Sequence, residues 1–124
     1  MLGAAHALAN PLTAHYGITH GVAIALVLPH VVRFNAAAVG PLYADLAHES
    51  GLVNGDTGVA AEGIARRVTE LMELAGLPTS LSQCGVSGGI LAVLAEEASQ
   101  QWTGRFNPRP VTEKELLALY EAAL

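Results

Sequence analysis

From Val22 to Leu28 the chain runs through seven consecutive apolar residues, Val-Ala-Ile-Ala-Leu-Val-Leu. A helix over this run is apolar on every side, and such a helix is stable in water only when neighbours cover it all round. The segment therefore predicts a central helix from His20 to about Phe34, with Thr19 as its N-cap and a kink at Pro29, where the ladder bond to the Ala25 carbonyl is lost. The wholly apolar stretch Gly21 to Leu28 falls well short of the ~20 residues that cross a bilayer, so no membrane partner is expected.

The rest of the chain supplies the covering helices. A first helix is expected from about Gly3 to Ala9 or beyond, with Pro11 near its end or at a kink and a break at Tyr16-Gly17. A third helix begins at Pro41, which suits a first helical position, and stops at Gly51. After a turn-rich loop over 52–58, Asp56 or Thr57 caps a helix whose apolar residues Ile64, Val68, Leu71, Met72 and Ala75 recur at helical spacing, with Gly76 and Pro78 closing it. Ser87 precedes a helix using Ile90, Leu91, Leu94 and Ala98. Thr112 and Glu115 form a capping-box pattern before Leu116, Leu117, Tyr120 and Leu124. No β-alternation is evident, and the sequence predicts an all-α helical bundle of about six helices spanning residues 1–124 as a single domain.

Charge and cysteine usage narrow the partners. The net charge is -5, and Lys114 with five scattered arginines forms no basic stripe, so nucleic acid is not an expected partner. Cys84 is the single cysteine, which excludes an intrachain disulfide and suits a reducing, cytoplasmic compartment. With no local Cys/His signature beside it, Cys84 reads as a small buried hydrophobe. The N-terminal residues lack the cationic region of a signal peptide, and their apolar run is interrupted by His6, Asn10 and Pro11.

Two histidines, His6 and His20, flank a segment broken by Pro11 and Gly17. On one straight helix, fourteen positions would return to nearly the same face, but Pro11 and Gly17 place the two imidazoles on separate helices that meet by packing. By residue type alone they serve as capping or packing side chains or as ligands of Fe(II), Zn(II) or Ni(II), since imidazole suits all three.

The stretch GAAHALANPLTAHYGITHGVAIALVLPHVVRFN, from Gly3 to Asn35, resembles the metal-binding segment of the iron-containing (group III) alcohol dehydrogenases, a family with glycerol dehydrogenase and maleylacetate reductase relatives. The resemblance continues through TGRFNPRPVTEKELLALYEAAL near the end, covering nearly the whole chain. It implies the C-terminal domain of a two-domain, dehydroquinate synthase-like dehydrogenase that interconverts alcohols and aldehydes or ketones. His6 and His20 match the family's two metal-binding histidines of this domain. The resemblance also implies Fe(II) or Zn(II), NAD or NADP, a small alcohol or carbonyl substrate, and a nucleotide-binding domain, carrying a further Asp and His for the metal, that is expected N-terminal to Met1 and absent from this chain. Four residues beyond the first ligand position, where many relatives carry a histidine near the nicotinamide and substrate, this chain has Asn10, whose amide can hydrogen-bond an oxygen but cannot relay a proton.

Other residues receive structural readings. His15 reads as a polar surface contact, His30 as a hydrogen-bonded side chain of a helix interior, and His48 as a cation complementing a helix C-terminus. Ser87-Gly88-Gly89 precedes a helix without a preceding strand or the spaced glycines of a dinucleotide loop, so it is a helix start rather than a phosphate cradle. Phe106-Asn107-Pro108-Arg109 reads as a turn positioning the last helix. Three readings remain compatible with the sequence: the metal-binding part of the dehydrogenase, a non-catalytic helical binding module with the same fold, and one subunit of a split dehydrogenase. Homo-oligomerisation is left open. The isolated chain is expected to fold as helices, to show little dehydrogenase activity, to bind metal weakly, and to fray over Met1 to Ala9.

Overall fold

The computed structural model describes residues 2–52 and 56–124. Those residues form five α-helices: α1 (Ala4–Tyr16), α2 (His20–Glu49), α3 (Thr57–Leu74), α4 (Leu91–Ser99) and α5 (Glu113–Ala123). Short 3-10 turns cover Ser82–Cys84, Gly88–Ile90 and Trp102–Phe106, and no strand occurs among the described residues. Part of the loop expected over 52–58 lies outside the described residues.

The helix count differs from the sequence expectation because the second and third expected helices are joined. α2 stays helical through Pro29, whose ring is buried, and its backbone leaves helical geometry at Val39 (φ -128°, ψ 21°), two residues before Pro41. Proline disfavours the helical region for the residue before it, and Gly40 fills that place. Gly40 also admits a close neighbour: a Cβ there would stand 2.7 Å from the Thr57 Cβ at the start of α3. Gly40→Ala is therefore expected to push α2 and α3 apart and to cost about 1–3 kcal/mol of stability, measurable by denaturant unfolding.

α1 ends at the expected break, Tyr16-Gly17, but Pro11 lies well inside it rather than near its end. It continues past Ala9 and Pro11 to Tyr16, and Gly17, at φ +64°, ends it by donating its N–H to the Thr13 carbonyl at 3.0 Å. Burial of Leu8, Pro11 and Leu12 outweighs the hydrogen bond that proline removes. Nor is α1 a loosely held terminal element. Ala4, Leu8, Ala9 and Leu12 are all fully buried, in one cluster with Leu26 and Val27 of α2, Leu94 and Ala95 of α4, and Leu116 and Tyr120 of α5. This burial argues against the expected fraying from Met1 to Ala9, of which Met1 lies outside the described residues.

Tyr120 ties the two ends of the chain together. Its ring is fully buried, its hydroxyl donates to the Leu8 carbonyl at 2.6 Å, and burial raises its pKa well above that of an exposed phenol. Tyr120→Phe leaves the packing and removes this bond, with an expected loss of about 1 kcal/mol on thermal unfolding. The C-terminal end of α5 is held by the loop before α4, where Leu81 N–H donates to the Ala123 carbonyl at 2.8 Å. A smaller cluster, in which Val32 of α2 meets Ala61 and Ala65 of α3, packs α3 through small residues.

By length and composition α2 could cross a bilayer. In this fold it is the central helix, with Ala23, Leu26, Val27 and Val31 in the main core and Val22, Ile24, Ala25 and Leu28 partly covered rather than enclosed on every side.

Candidate metal centre

His6 sits in the first turns of α1 and His20 is the first residue of α2. The break that separates the helices is made by Gly17, and α2 starts after Thr19, whose carbonyl accepts from Val22 and Ala23 N–H at 2.9 and 3.0 Å. The Thr19 hydroxyl makes no capping bond, so only the backbone half of that expectation is realised. The two imidazoles meet with ring centres 5.4 Å apart and planes inclined by 50°. One tetrahedral ion bound at about 2.0–2.1 Å by a nitrogen of each ring would hold the ring centres about 5 Å apart, so the spacing fits a shared divalent metal.

Electrostatics favour the ligating form. Partial burial, and next the neighbouring His20, lower the pKa of His6, leaving its ring neutral near pH 7. A neutral imidazole has the free lone pair that metal binding needs. Among the described residues no group of three or more His, Cys, Asp or Glu side chains is gathered, and the two histidines alone are fewer donors than a four-coordinate metal takes.

Asn10 lies one turn after His6, a spacing that places the two side chains on one face of α1. It is half-buried, and its Nδ2 donates to Gln101 Oε1 at 2.9 Å. Beside His6 opens a groove of about 690 Å³ between the start of α1, α2 and the 106–108 loop, walled by Ile24, Leu28, Val31, Leu42 and Phe106. Its walls are mostly apolar.

The remaining candidates sit elsewhere. His15 pairs with Glu97 at 2.9 Å on the surface, and His48 lies exposed beside Glu49 at 3.7 Å. His30 is half-buried and lines a different groove with Arg33, Phe34 and Leu119; burial, then Arg33, lowers its pKa. Cys84 is half-buried, and burial pushes its thiol pKa up, away from reactivity. Ser87 is extended and precedes a 3-10 turn without a side-chain cap, so α4 starts only at Leu91. Arg109 lies over the Phe34 ring at 4.0 Å and donates to the Phe34 carbonyl at 2.9 Å, which anchors the turn before α5.

Sequence reasoning missed a paired amide near the site. Asn35 is 5% exposed and exchanges two hydrogen bonds with Asn107, at 3.1 and 2.7 Å. The signal available was the tripeptide Arg-Phe-Asn, which occurs at both 33–35 and 105–107.

Comparison with known proteins places the chain in a family. Residues 1–124 match the model of the Fe-containing alcohol dehydrogenase family, C-terminal. Lactaldehyde reductase of Escherichia coli K12 is 37% identical over 124 residues, covering 98% of this chain and 32% of the relative. The 1,3-propanediol dehydrogenase of Klebsiella pneumoniae is 36% identical, with 98% and 32% covered. Among solved structures, a 1,3-propanediol oxidoreductase superposes with a TM-score of 0.91 at 35% identity, covering 99% of this chain and 33% of that one. An alcohol dehydrogenase from Oenococcus oeni gives 0.92 at 30% identity, with 99% and 33% covered. The chain thus spans about a third of the length of these relatives. All-α and matched from end to end, it belongs to the Fe-containing alcohol dehydrogenase family, as that family's C-terminal region.

Proposed function

We propose that this chain is the metal-binding part of an NAD(P)-dependent alcohol dehydrogenase, with His6 and His20 as two of the metal ligands. The observation that carries this reading is the 5.4 Å approach of two imidazoles from different helices, in a chain matched throughout by the family. The relatives are named for work on lactaldehyde and 1,3-propanediol, so a small alcohol or carbonyl compound is the substrate class. When bound, Fe(II) or Zn(II) would polarise the substrate oxygen and a nicotinamide would exchange hydride with the adjacent carbon.

The residues of this chain prepare that chemistry. His6, kept neutral by partial burial, offers a lone pair without first losing a proton. His20 approaches from the start of α2, so helix packing sets the angle between the two donors. Asn10, on the same face as His6, supplies a hydrogen bond to substrate or nicotinamide and moves no proton. The apolar groove beside His6 offers a short hydrocarbon chain a surface to pack on.

The test joins this chain to the first two thirds of a relative, replacing that relative's own C-terminal third. The joined protein loaded with Fe(II) or Zn(II) is expected to reduce NAD or NADP with small alcohols, and to lose this on chelation. The 124-residue chain alone is expected to give no turnover, because it holds no positioned hydride acceptor. Inactivity of a folded, metal-loaded joined protein favours the non-catalytic module. Asn10→His in the joined protein is expected to add an ionisation near the ordinary histidine value of about 6.5 to the rate profile. An unchanged profile would remove Asn10 from the reaction site.

A further inference from the structure

Asn107 is the hub of a polar cluster that reaches the helix bearing His6. Its side-chain oxygen accepts from the Ala4 amide at 3.2 Å and from Asn35 Nδ2 at 3.1 Å. Its Nδ2 donates to Asn35 Oδ1 and to the Arg109 carbonyl, both at 2.7 Å. The backbone donor at Ala4 and the backbone acceptor at Arg109 fix which way round the amide sits, and all its hydrogen-bonding capacity is used.

Ala4 is the first residue of α1, where backbone N–H groups have no partner within the helix. The residue before it, Gly3, has no side chain with which to cap. Gly3 instead leaves room for the distant cap, since a Cβ there would stand 3.2 Å from Asn107 Oδ1. Asn107 thus does for α1 what a neighbouring Ser or Asp does for most helices, from 103 positions away.

We propose that Asn107 is a positioning residue of the metal centre, setting His6 against His20 by capping α1 and locking it to Asn35 of α2. His6 follows the capped amide by two residues, and α2 carries both Asn35 and His20, so the cluster ties together the two helices that present the rings. Its effect on metal binding rests on the ligand reading above; its effect on the spacing of the rings does not.

The test uses NMR contacts between the His6 and His20 rings in the metal-free 124-residue chain, followed by titration with Co(II) alone. Asn107→Ala removes the cap. It is expected to abolish the ring-to-ring contacts and to weaken Co(II) binding about tenfold at a temperature where the chain stays folded. Asn107→Asp keeps an acceptor for the Ala4 amide and places a negative charge at a helix N-terminus, where it is favourable, but cannot donate to Asn35 or Arg109. It is expected to unfold at a lower temperature yet keep the ring contacts and the Co(II) affinity. Should Asn107→Ala fail to fold, Gly3→Ala, which crowds the cap and removes no hydrogen-bonding group, is expected to weaken the same contacts. Ring contacts that survive in the folded Asn107→Ala chain, or in Gly3→Ala where Asn107→Ala does not fold, would overturn the proposal, and so would equal loss in Asn107→Ala and Asn107→Asp. Wild-type ring contacts with Co(II) binding insensitive to His20→Ala would sink the ligand reading and leave the positioning role standing.

Discussion

His20→Ala in the joined, metal-loaded protein is expected to lower alcohol oxidation by at least about a hundredfold, since polarisation by a metal supplies several kcal/mol of transition-state stabilisation. The fold should survive. His20 is exposed at the first position of α2, so truncation empties no core site, and helicity and unfolding temperature should stay close to those of the parent. Initial rates with a small alcohol, taken beside circular dichroism, check both halves of the expectation. Retained activity in a folded variant would take His20 out of the centre.

The second large effect concerns α1 as a core element. Leu8→Ala is expected to destabilise the 124-residue chain by about 3 kcal/mol, because Leu8 is fully buried in the main cluster and its truncation leaves a cavity there. Against a total stability of about 5–15 kcal/mol for a domain, such a loss shows clearly in a denaturant midpoint. Amide exchange supplies an independent check. With its buried face and its Tyr120 tie, α1 should exchange near Leu8 and Ala9 no faster than α3 near Ile64 and Ala65. Rapid exchange at Leu8, with a small Leu8→Ala effect, would restore the picture of a frayed terminal helix.

The features legible in the sequence were those decided by neighbours along the chain. Asp56 caps α3 through a bond from Val59 N–H at 3.0 Å, and the Glu115 carboxylate accepts from the Thr112 N–H at 2.8 Å at the start of α5. Those Thr112 hydrogen bonds, side chain first, lower the Glu115 pKa, as a carboxylate engaged in capping should show. The apolar run at 22–28 became the central helix, with Ala23, Leu26 and Val27 buried, although Val22, Ile24, Ala25 and Leu28 are only partly covered. The meeting of His6 with His20 was legible because Pro11 and Gly17 argue against one straight helix, although the break comes from Gly17 alone.

What escaped the sequence was decided by contacts between distant segments. Proline looks like a helix end or a kink from its own chemistry, yet Pro11 sits well within α1 and α2 keeps helical backbone at Pro29, where burial of the rings and of the flanking leucines and valines outweighs one lost ladder bond. The break at Val39 depends on Gly40 meeting Thr57, which no local pattern announces. The amide pair of Asn35 and Asn107 spans 72 positions, and its cap on Ala4 spans 103. Chain order makes α1 look peripheral, whereas packing makes it central.

Metal content of the joined protein tests the assignment of the centre most directly. Loaded with Fe(II) and freed of excess ion, the parent is expected to retain about one metal per chain, and the His6→Ala and His20→Ala variants close to none while keeping their helicity. Full occupancy in either folded variant would contradict the placing of the metal on His6 and His20.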